Sequence, residues 1–290
     1  MKVLIIGAGG QLGRSLQRTV PPEIAIHAPS EWELDLTKRE HVAAAIAKYH
    51  PNVISNAAAY TAVDRAETER SVAFAVNAEA VEGLAQLCAY AHIKLMHVST
   101  DYVFDGEANS AYSVDAVTRP MNVYGASKLA GEERLRATAN LDFALVRTAW
   151  VYAPWGHNFV LTMLKLFRER GGTSVVADQI GAPTSALNLA RFLWCAALRE
   201  ARGVFHYTDA GVASWYDFAM AINEEALSMG LLASPAIVKS ITTADYPTPA
   251  KRPRFSLLET RTSVAAVGAH QPHWREALRE VLKELKDPKS

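Results

Sequence analysis

Val3-Leu4-Ile5-Ile6-Gly7-Ala8-Gly9-Gly10-Gln11-Leu12-Gly13 stands almost at the start of the chain, and its reading decides the fold. Four long or branched apolar residues in a row suit a strand buried on both faces. Glycines follow at once, and from Gln11 to Thr19 apolar residues recur at helical spacing. A strand that turns on glycine into a helix is a phosphate cradle, because bare backbone N–H groups and the positive helix end both face the anion. Gly7, Gly10 and Gly13 are spaced G-x-x-G-x-x-G, with Gln11 and Leu12 completing the turn. Such a pattern alone fits any tight turn; its place after a first strand points it to a dinucleotide.

The rhythm continues outward. Ile24 to His27, Val53 to Ser55, Lys94 to Ser99 and Phe143 to Arg147 read as further buried strands, while Lys38 to Tyr49, Val72 to Ala91 and Tyr124 to Ala139 read as helices. Alternation of this kind predicts an α/β fold, a doubly wound parallel sheet of Rossmann type with right-handed crossovers, over residues 1–150. Ligands then bind at the carboxyl ends of the strands. Gly7 to Gly13, Asn56 to Asp64 and Ser99 to Tyr102 each follow a predicted strand, so one rim collects all three. After Trp150 prolines and glycines loosen the pattern, which predicts shorter elements and a smaller C-terminal substrate lobe over residues 151–290. That boundary need not be clean, since the chain can pass back into the first lobe. Trp274 to Lys286 reads as an amphipathic helix followed by a solvated Lys/Asp tail.

Composition excludes several classes. With Lys+Arg and Asp+Glu equal at 30 each, no global field favours nucleic acid or an anionic membrane. The opening apolar run is too short for a signal peptide, and charges or prolines break later runs before the roughly 20 residues of a membrane span. The expectation is a soluble, cytoplasmic protein. Cys88 and Cys195 sit in apolar helical contexts and read as inert thiols.

The chemistry lies in Ser99-Thr100-Asp101-Tyr102 and Tyr124-Gly125-Ala126-Ser127-Lys128. Reducing a ketone takes a hydride on carbon and a proton on oxygen. A phenol is a poor acid, with a reference pKa near 10, and a neighbouring ammonium together with the positive nicotinamide stabilises the phenolate and lowers that value. Lys128 lies four residues after Tyr124, on the same helical face. Tyr90 and Lys94 share the spacing but straddle a helix end and a strand start. Thr100, after its strand, donates to the same carbonyl oxygen. Thr100, Tyr124 and Lys128 are therefore the candidate catalytic residues. No H-E-x-x-H, C-x-x-C, G-x-S-x-G or Walker lysine offers a competing chemistry.

Cofactor choice reads from the second strand. It ends at His27-Ala28-Pro29-Ser30 without a carboxylate to claim a ribose, and Arg14 follows the last glycine. A 2′-phosphate is thus not repelled, which favours NADPH with NADH tolerated. Asp35 and Leu36 are candidate adenine contacts, and the small residues Ala57, Ala58 and Ala59 let the backbone pass close to the cofactor.

Consecutive stretches now carry a resemblance: Asn56-Ala57-Ala58-Ala59-Tyr60-Thr61-Ala62-Val63-Asp64, Ser99-Thr100-Asp101-Tyr102-Val103-Phe104, Asn122-Val123-Tyr124-Gly125, Arg147-Thr148-Ala149-Trp150-Val151-Tyr152, Asp178-Gln179-Ile180-Gly181-Ala182-Pro183-Thr184 and Tyr246-Pro247-Thr248-Pro249-Ala250-Lys251-Arg252-Pro253. Almost end to end, the chain resembles the extended short-chain dehydrogenase/reductases, and within them the dTDP-4-dehydrorhamnose reductase family. The resemblance implies NAD(P)H-dependent reduction of the 4-keto group of dTDP-6-deoxy-L-lyxo-4-hexulose. Tyr124 would be the general acid, Lys128 its electrostatic partner and a ribose ligand, and Thr100 the carbonyl donor. Thr61, Val63, Ser99, Asp101, Tyr102, Trp150 and Arg252 match positions lining a sugar-nucleotide site, and Asn77 matches a helix asparagine of the wider family. Some relatives carry glutamates at the positions of Ser15 and Leu187 to bind magnesium across a dimer; neither is acidic here, so the expectation is a monomer or weak homodimer with no metal. Two rivals share parts of this pattern: a sugar-nucleotide epimerase that retains its NAD, and a non-catalytic partner like the regulatory subunit of methionine adenosyltransferase. Asp101-Tyr102, in place of an Asp-Glu pair, disfavours a dehydratase.

Overall fold

The computed structural model describes residues 1–287; the end of the anticipated Lys/Asp tail lies outside the described residues. Six strands form one sheet, and every pairing in it is parallel. They are β1 (Lys2–Ile6), β2 (Ala25–His27), β3 (Val53–Asn56), β4 (Lys94–Thr100), β5 (Phe143–Thr148) and an edge strand, Gly203–His206. The order runs from that edge strand through β5, β4, β3 and β1 to β2. The chain moves from β1 outward to β2 and then to the other side as β3, so the strand order reverses between β1 and β3. Ligands of doubly wound sheets sit at that switch point.

Alternation along the strands explains why both faces are covered. Val3 and Ile5 of β1 pack with Leu12, Leu16, Phe192, Leu193 and Trp194 on one face. Leu4 and Ile6 pack with Val42, Leu84, Cys88 and Leu135 on the other. Each strand residue thus loses its side chain to a helix layer, as a parallel sheet requires. The first helix, α1 (Gln11–Arg18), lies against Ala186–Leu198, which returns from beyond residue 150 to cover the same face as Gly203–His206 extends the sheet.

Two differences from the sequence reading stand out. Beyond Trp150 the chain forms long helices, Phe159–Arg170, Ala186–Leu198 and Trp215–Ser228, where only short elements were expected. The apolar helix Arg70–Tyr90 is also long and apolar enough to cross a membrane by length and composition, against the expectation that charges break every such run. In the fold it is a core helix: Val81, Leu84, Ala85 and Cys88 are buried under the sheet. A π-helical turn, Ala75–Glu79, interrupts it and carries Asn77. Tyr152, Phe167, Phe218, Trp274 and Leu278 form a separate core for the C-terminal helices.

Candidate active site

At the switch point the site is made of backbone. Gly7 has φ +79, and a Cβ there would lie 2.6 Å from the Ala58 amide nitrogen. A Cβ on Gly13 would collide with the Gly7 carbonyl, so the turn closes only without side chains. Gly10 caps α1 with no side-chain hydrogen bond, leaving the first N–H groups of the helix free for an anion. Ala57 donates to the Ile6 carbonyl at 2.9 Å, which holds the Ala57–Ala59 loop against the glycine turn. A turn that a Cβ at Gly7 or Gly13 would fill, under an uncapped helix, fits a dinucleotide pyrophosphate.

Arg14 lies with its guanidinium 4.6 Å from the Trp155 ring centre, and the Trp155 indole donates to the Gln11 carbonyl at 3.1 Å. Gln11 reaches the same loop, accepting from Asn158 at 2.9 Å, while Leu12 is buried in the core. Trp155 and Asn158 were not singled out from sequence, because nothing local links residue 155 to residue 11. The His27–Ser30 stretch after β2 carries no carboxylate of its own, but Glu33 folds back onto it. Glu33 accepts from the Ser30 backbone at 2.9 Å and hydroxyl at 2.8 Å, and these bonds hold its pKa below the usual range. Asp35 is similarly engaged by Thr37, while Leu36 is buried.

Chemistry gathers where β4 ends. Thr100 donates to Asp101 at 3.0 Å and accepts from the Tyr102 amide at 3.1 Å. Ser99 is buried with a hydroxyl that has no partner. Helix Val123–Ala137 starts at Asn122, whose side chain accepts from Gly125 at 2.7 Å and donates to the Lys251 carbonyl at 2.8 Å. Gly125 is glycine because a Cβ would strike the Tyr102 carbonyl. This close approach sets Tyr124 beside Tyr102, ring centres 5.8 Å apart and edge-on at 76°. One turn later Lys128 is buried and donates to the Val98 carbonyl at 2.7 Å.

Burial pushes the Tyr124 phenol up to about 12; the Thr100 hydroxyl pulls it back and the Asp101 charge adds to the rise. The ammonium was expected to lower this phenol, but its bond goes to Val98 and desolvation prevails. The phenol is thus protonated at neutral pH but a weaker acid than a free tyrosine, and added positive charge beside it is what would bring its pKa towards the working pH. Burial lowers Lys128 to about 8, with Glu132 opposing. Asp101 rises to about 6 through burial, held back by Ser256 and Thr100.

The substrate-side residues converge less tightly. Trp150 sits at φ 48, stacked on Trp215 with ring centres 3.6 Å apart and 9° between planes. Val63 begins the short helix Val63–Ala66, and Thr61 is exposed beside it. Arg252 grips Asp64 through two bonds, 3.0 and 2.8 Å, and this grip lowers the Asp64 pKa. Arg252, matched from sequence to the sugar-nucleotide site, therefore already holds a carboxylate, which pairs its partly buried charge. Asn77 holds the Tyr60 backbone at both ends, 2.9 and 3.0 Å, and donates to Ser127 at 3.0 Å, tying the loop after β3 to the Tyr124 helix.

The family model described as RmlD substrate binding domain matches residues 1–287. A dTDP-4-dehydrorhamnose reductase of Aggregatibacter actinomycetemcomitans is 42% identical over 97% of this chain and 98% of its own. The chain belongs to the dTDP-4-dehydrorhamnose reductase family. Among solved structures, the Clostridium acetobutylicum member of that family is 36% identical with a TM-score of 0.92, covering 99% of this chain and 100% of its own. The Bacillus anthracis member, in complex with NADP, is 35% identical with a TM-score of 0.91, covering 98% of this chain and 99% of its own. Within this reductase family framework, Asp64, His97, Trp155, Asn158 and Trp215 are among the neighbours of candidate site residues that were given no role from sequence. Asp64 alone had a signal, as the last residue of a stretch quoted for the resemblance.

Proposed function

We propose that this protein reduces the 4-keto group of dTDP-6-deoxy-L-lyxo-4-hexulose, giving dTDP-L-rhamnose, with NADPH as the preferred reductant. The observation that carries this reading is the convergence of Thr100, Tyr124 and Lys128 at the end of β4, on the same sheet rim as the glycine cradle, in a chain of that reductase family. NADPH, once bound, supplies the hydride for the carbonyl carbon. Everything else falls to the protein. Tyr124, protonated at neutral pH, donates its proton to the carbonyl oxygen, and positive charge from Lys128 and the bound cofactor opposes the burial that weakens it as an acid. Thr100 turns its hydroxyl from Asp101 to the same oxygen as negative charge develops. Lys128 keeps positive charge near the phenol and offers its remaining donors to the ribose.

Arg252 exchanges its bidentate carboxylate for the diphosphate of the sugar nucleotide, since a guanidinium fork fits both. Trp150, braced by Trp215, offers a flat apolar wall to the deoxysugar. Arg14, flattened on Trp155, supports NADPH over NADH through its positive charge beside the cradle. The protein acts in the cytoplasm as a monomer or weak homodimer, where Cys88 and Cys195 stay free. The deciding assay follows NADPH oxidation in the presence of the dTDP-4-keto sugar. Turnover with release of NADP⁺ is expected; an unchanged NADPH signal, or a tightly retained NAD that never exchanges, overturns the reading.

A further inference from the structure

Beneath the site, a chain of buried side chains joins the cofactor loop to Lys128. Asn56 ends β3 and His97 lies opposite it on β4 in direct register. Both are buried, at 1% and 0% exposure, so neither can turn to solvent for a partner. The Ala58 backbone amide, which can only donate, points to Asn56 Oδ1 at 3.1 Å. That fixes the amide the other way round, with Asn56 Nδ2 donating to His97 Nδ1 at 3.1 Å. A histidine that accepts at Nδ1 and is neutral carries its proton on Nε2. His97 is neutral: full burial and the nearby Lys128 hold its pKa well below the ordinary histidine value. Its Nε2 lies 3.5 Å from Lys128 Nζ.

We propose that His97 is a positioning residue for Lys128: the series Ala58, Asn56, His97 holds the imidazole as its Nε2–H form and aims that donor at the amine. Two donors face each other when the lysine is an ammonium. The ammonium therefore turns its own N–H groups away from His97, onto the Val98 carbonyl and towards the cofactor face. When the lysine gives up a proton, its lone pair accepts from His97 Nε2–H, so the free base gains a bond that the ammonium lacks. The loop that approaches the cofactor and the proton affinity of the amine are thereby coupled through two side chains.

Other groups around Lys128 do not supply this effect. On its own helix stand Tyr124 and Glu132, and Glu132 raises the lysine's proton affinity. The Glu132 carboxylate is itself taken by Arg147 of β5 and by Arg136. From the turn after β4 comes Asp101, acting on Tyr124, and from the long helix the neutral Asn77, bonded to Ser127. Further along, Glu82 of the long helix pairs with Arg134.

This inference rests on the reductase reading for its catalytic meaning, and its test separates the two. Nitrogen NMR of ¹⁵N-histidine-labelled protein should show His97 protonated at Nε2 across neutral pH. Carbon NMR of the lysine side chains should place Lys128's titration about one pH unit higher in His97→Asn, a tenfold change in proton affinity. Asn at this position still meets Asn56 but stops short of Nζ. His97→Gln, which restores a donor of the right reach, should bring the titration back to that of the wild type. The alkaline limb of kcat should move with it, while KM for NADPH stays unchanged. An Nδ1–H form in the wild type, or an unaltered Lys128 titration in folded His97→Asn, overturns the proposal. If His97→Asn does not fold, the wild-type protonation state and His97→Gln decide. Absence of NADPH oxidation by the wild type would instead sink the reductase reading and leave these spectra to be judged on their own.

Discussion

The rim after β1 and β3 is built from what side chains leave out, and the rim after β4 from what they bring. Gly7 and Gly13 let the first turn close against Ala8 and the Ala57 to Ala59 loop by backbone approach alone. At the next strand of the sheet, Thr100, Asp101, Tyr124 and Lys128 crowd polar atoms into a buried space. At Gly7 and Gly13 the first region has no room for a Cβ, whereas the second is held by its polar partners. The same contrast recurs between two ion pairs. Arg147 and Glu132 are almost fully buried, 1% and 0% exposed, and bond at 2.7 Å. Arg252 and Asp64 bond at 2.8 Å but remain 23% and 39% exposed. A pair sealed from water is part of the fold, whereas one at the mouth can change partners.

Four substitutions and one titration probe these contrasts, in descending size of effect. Tyr124→Phe removes only the proton donor of the β4 rim, so kcat should fall roughly 100- to 10,000-fold with NADPH affinity unchanged. Steady-state kinetics with a fluorescence titration of NADPH checks this, and an intact kcat would free Tyr124 of its role. Glu132→Ala strands the Arg147 charge with only the Val114 carbonyl and His206 near it, at 3.2 and 3.4 Å. Urea unfolding should show a loss of about 3–5 kcal/mol. Gly13→Ala forces a Cβ into the Gly7 carbonyl and should cost about 1–3 kcal/mol through overpacking, with weakened NADPH binding measured by calorimetry. A normal affinity would mean that the backbone bed is not the cofactor site.

Raising the pH tests the chemical rim alone. Lys128 holds its ammonium below about pH 8 in the folded protein and loses it as the pH climbs through that value. Activity should therefore decline above pH 8, roughly tenfold per pH unit, while NADPH binding to the glycine bed changes less. The same depressed value means the folded chain gains stability between about pH 8 and 10.5, where only the unfolded chain keeps that proton. The smallest effect belongs to Asp64→Asn, which should shift stability by about 1 kcal/mol or less. It should alter KM for the sugar nucleotide rather than kcat. A loss as large as that of Glu132→Ala would erase the distinction between the two pairs.

Legibility followed the physics of each half. β1, β3, β4 and β5 announced themselves because both their faces are apolar over a short span. Ala186–Leu198 did not, since ten of its residues are buried and it offers no polar stripe to mark a helical period. Gly203–His206 has only four residues and gives no pattern at all. In the site, Tyr124 and Lys128 were readable because four residues on a helix is local geometry. Asp64 with Arg252, 188 residues apart, and Asn56 with His97, 41 apart, are meetings that no window along the chain can contain.

Taken by itself, the sequence determined the alternation of buried strands and helices, from which a parallel sheet follows by the rule of crossovers, together with the glycine turn and the shared face of phenol and amine, because each of these patterns is local. Tertiary structure decided the proton affinities of Tyr124, Lys128 and Asp101, the partner of Arg252 and the direction in which Lys128 points. Those properties depend on how much water is excluded and which distant groups arrive, and burial is a property of the packed whole rather than of any segment.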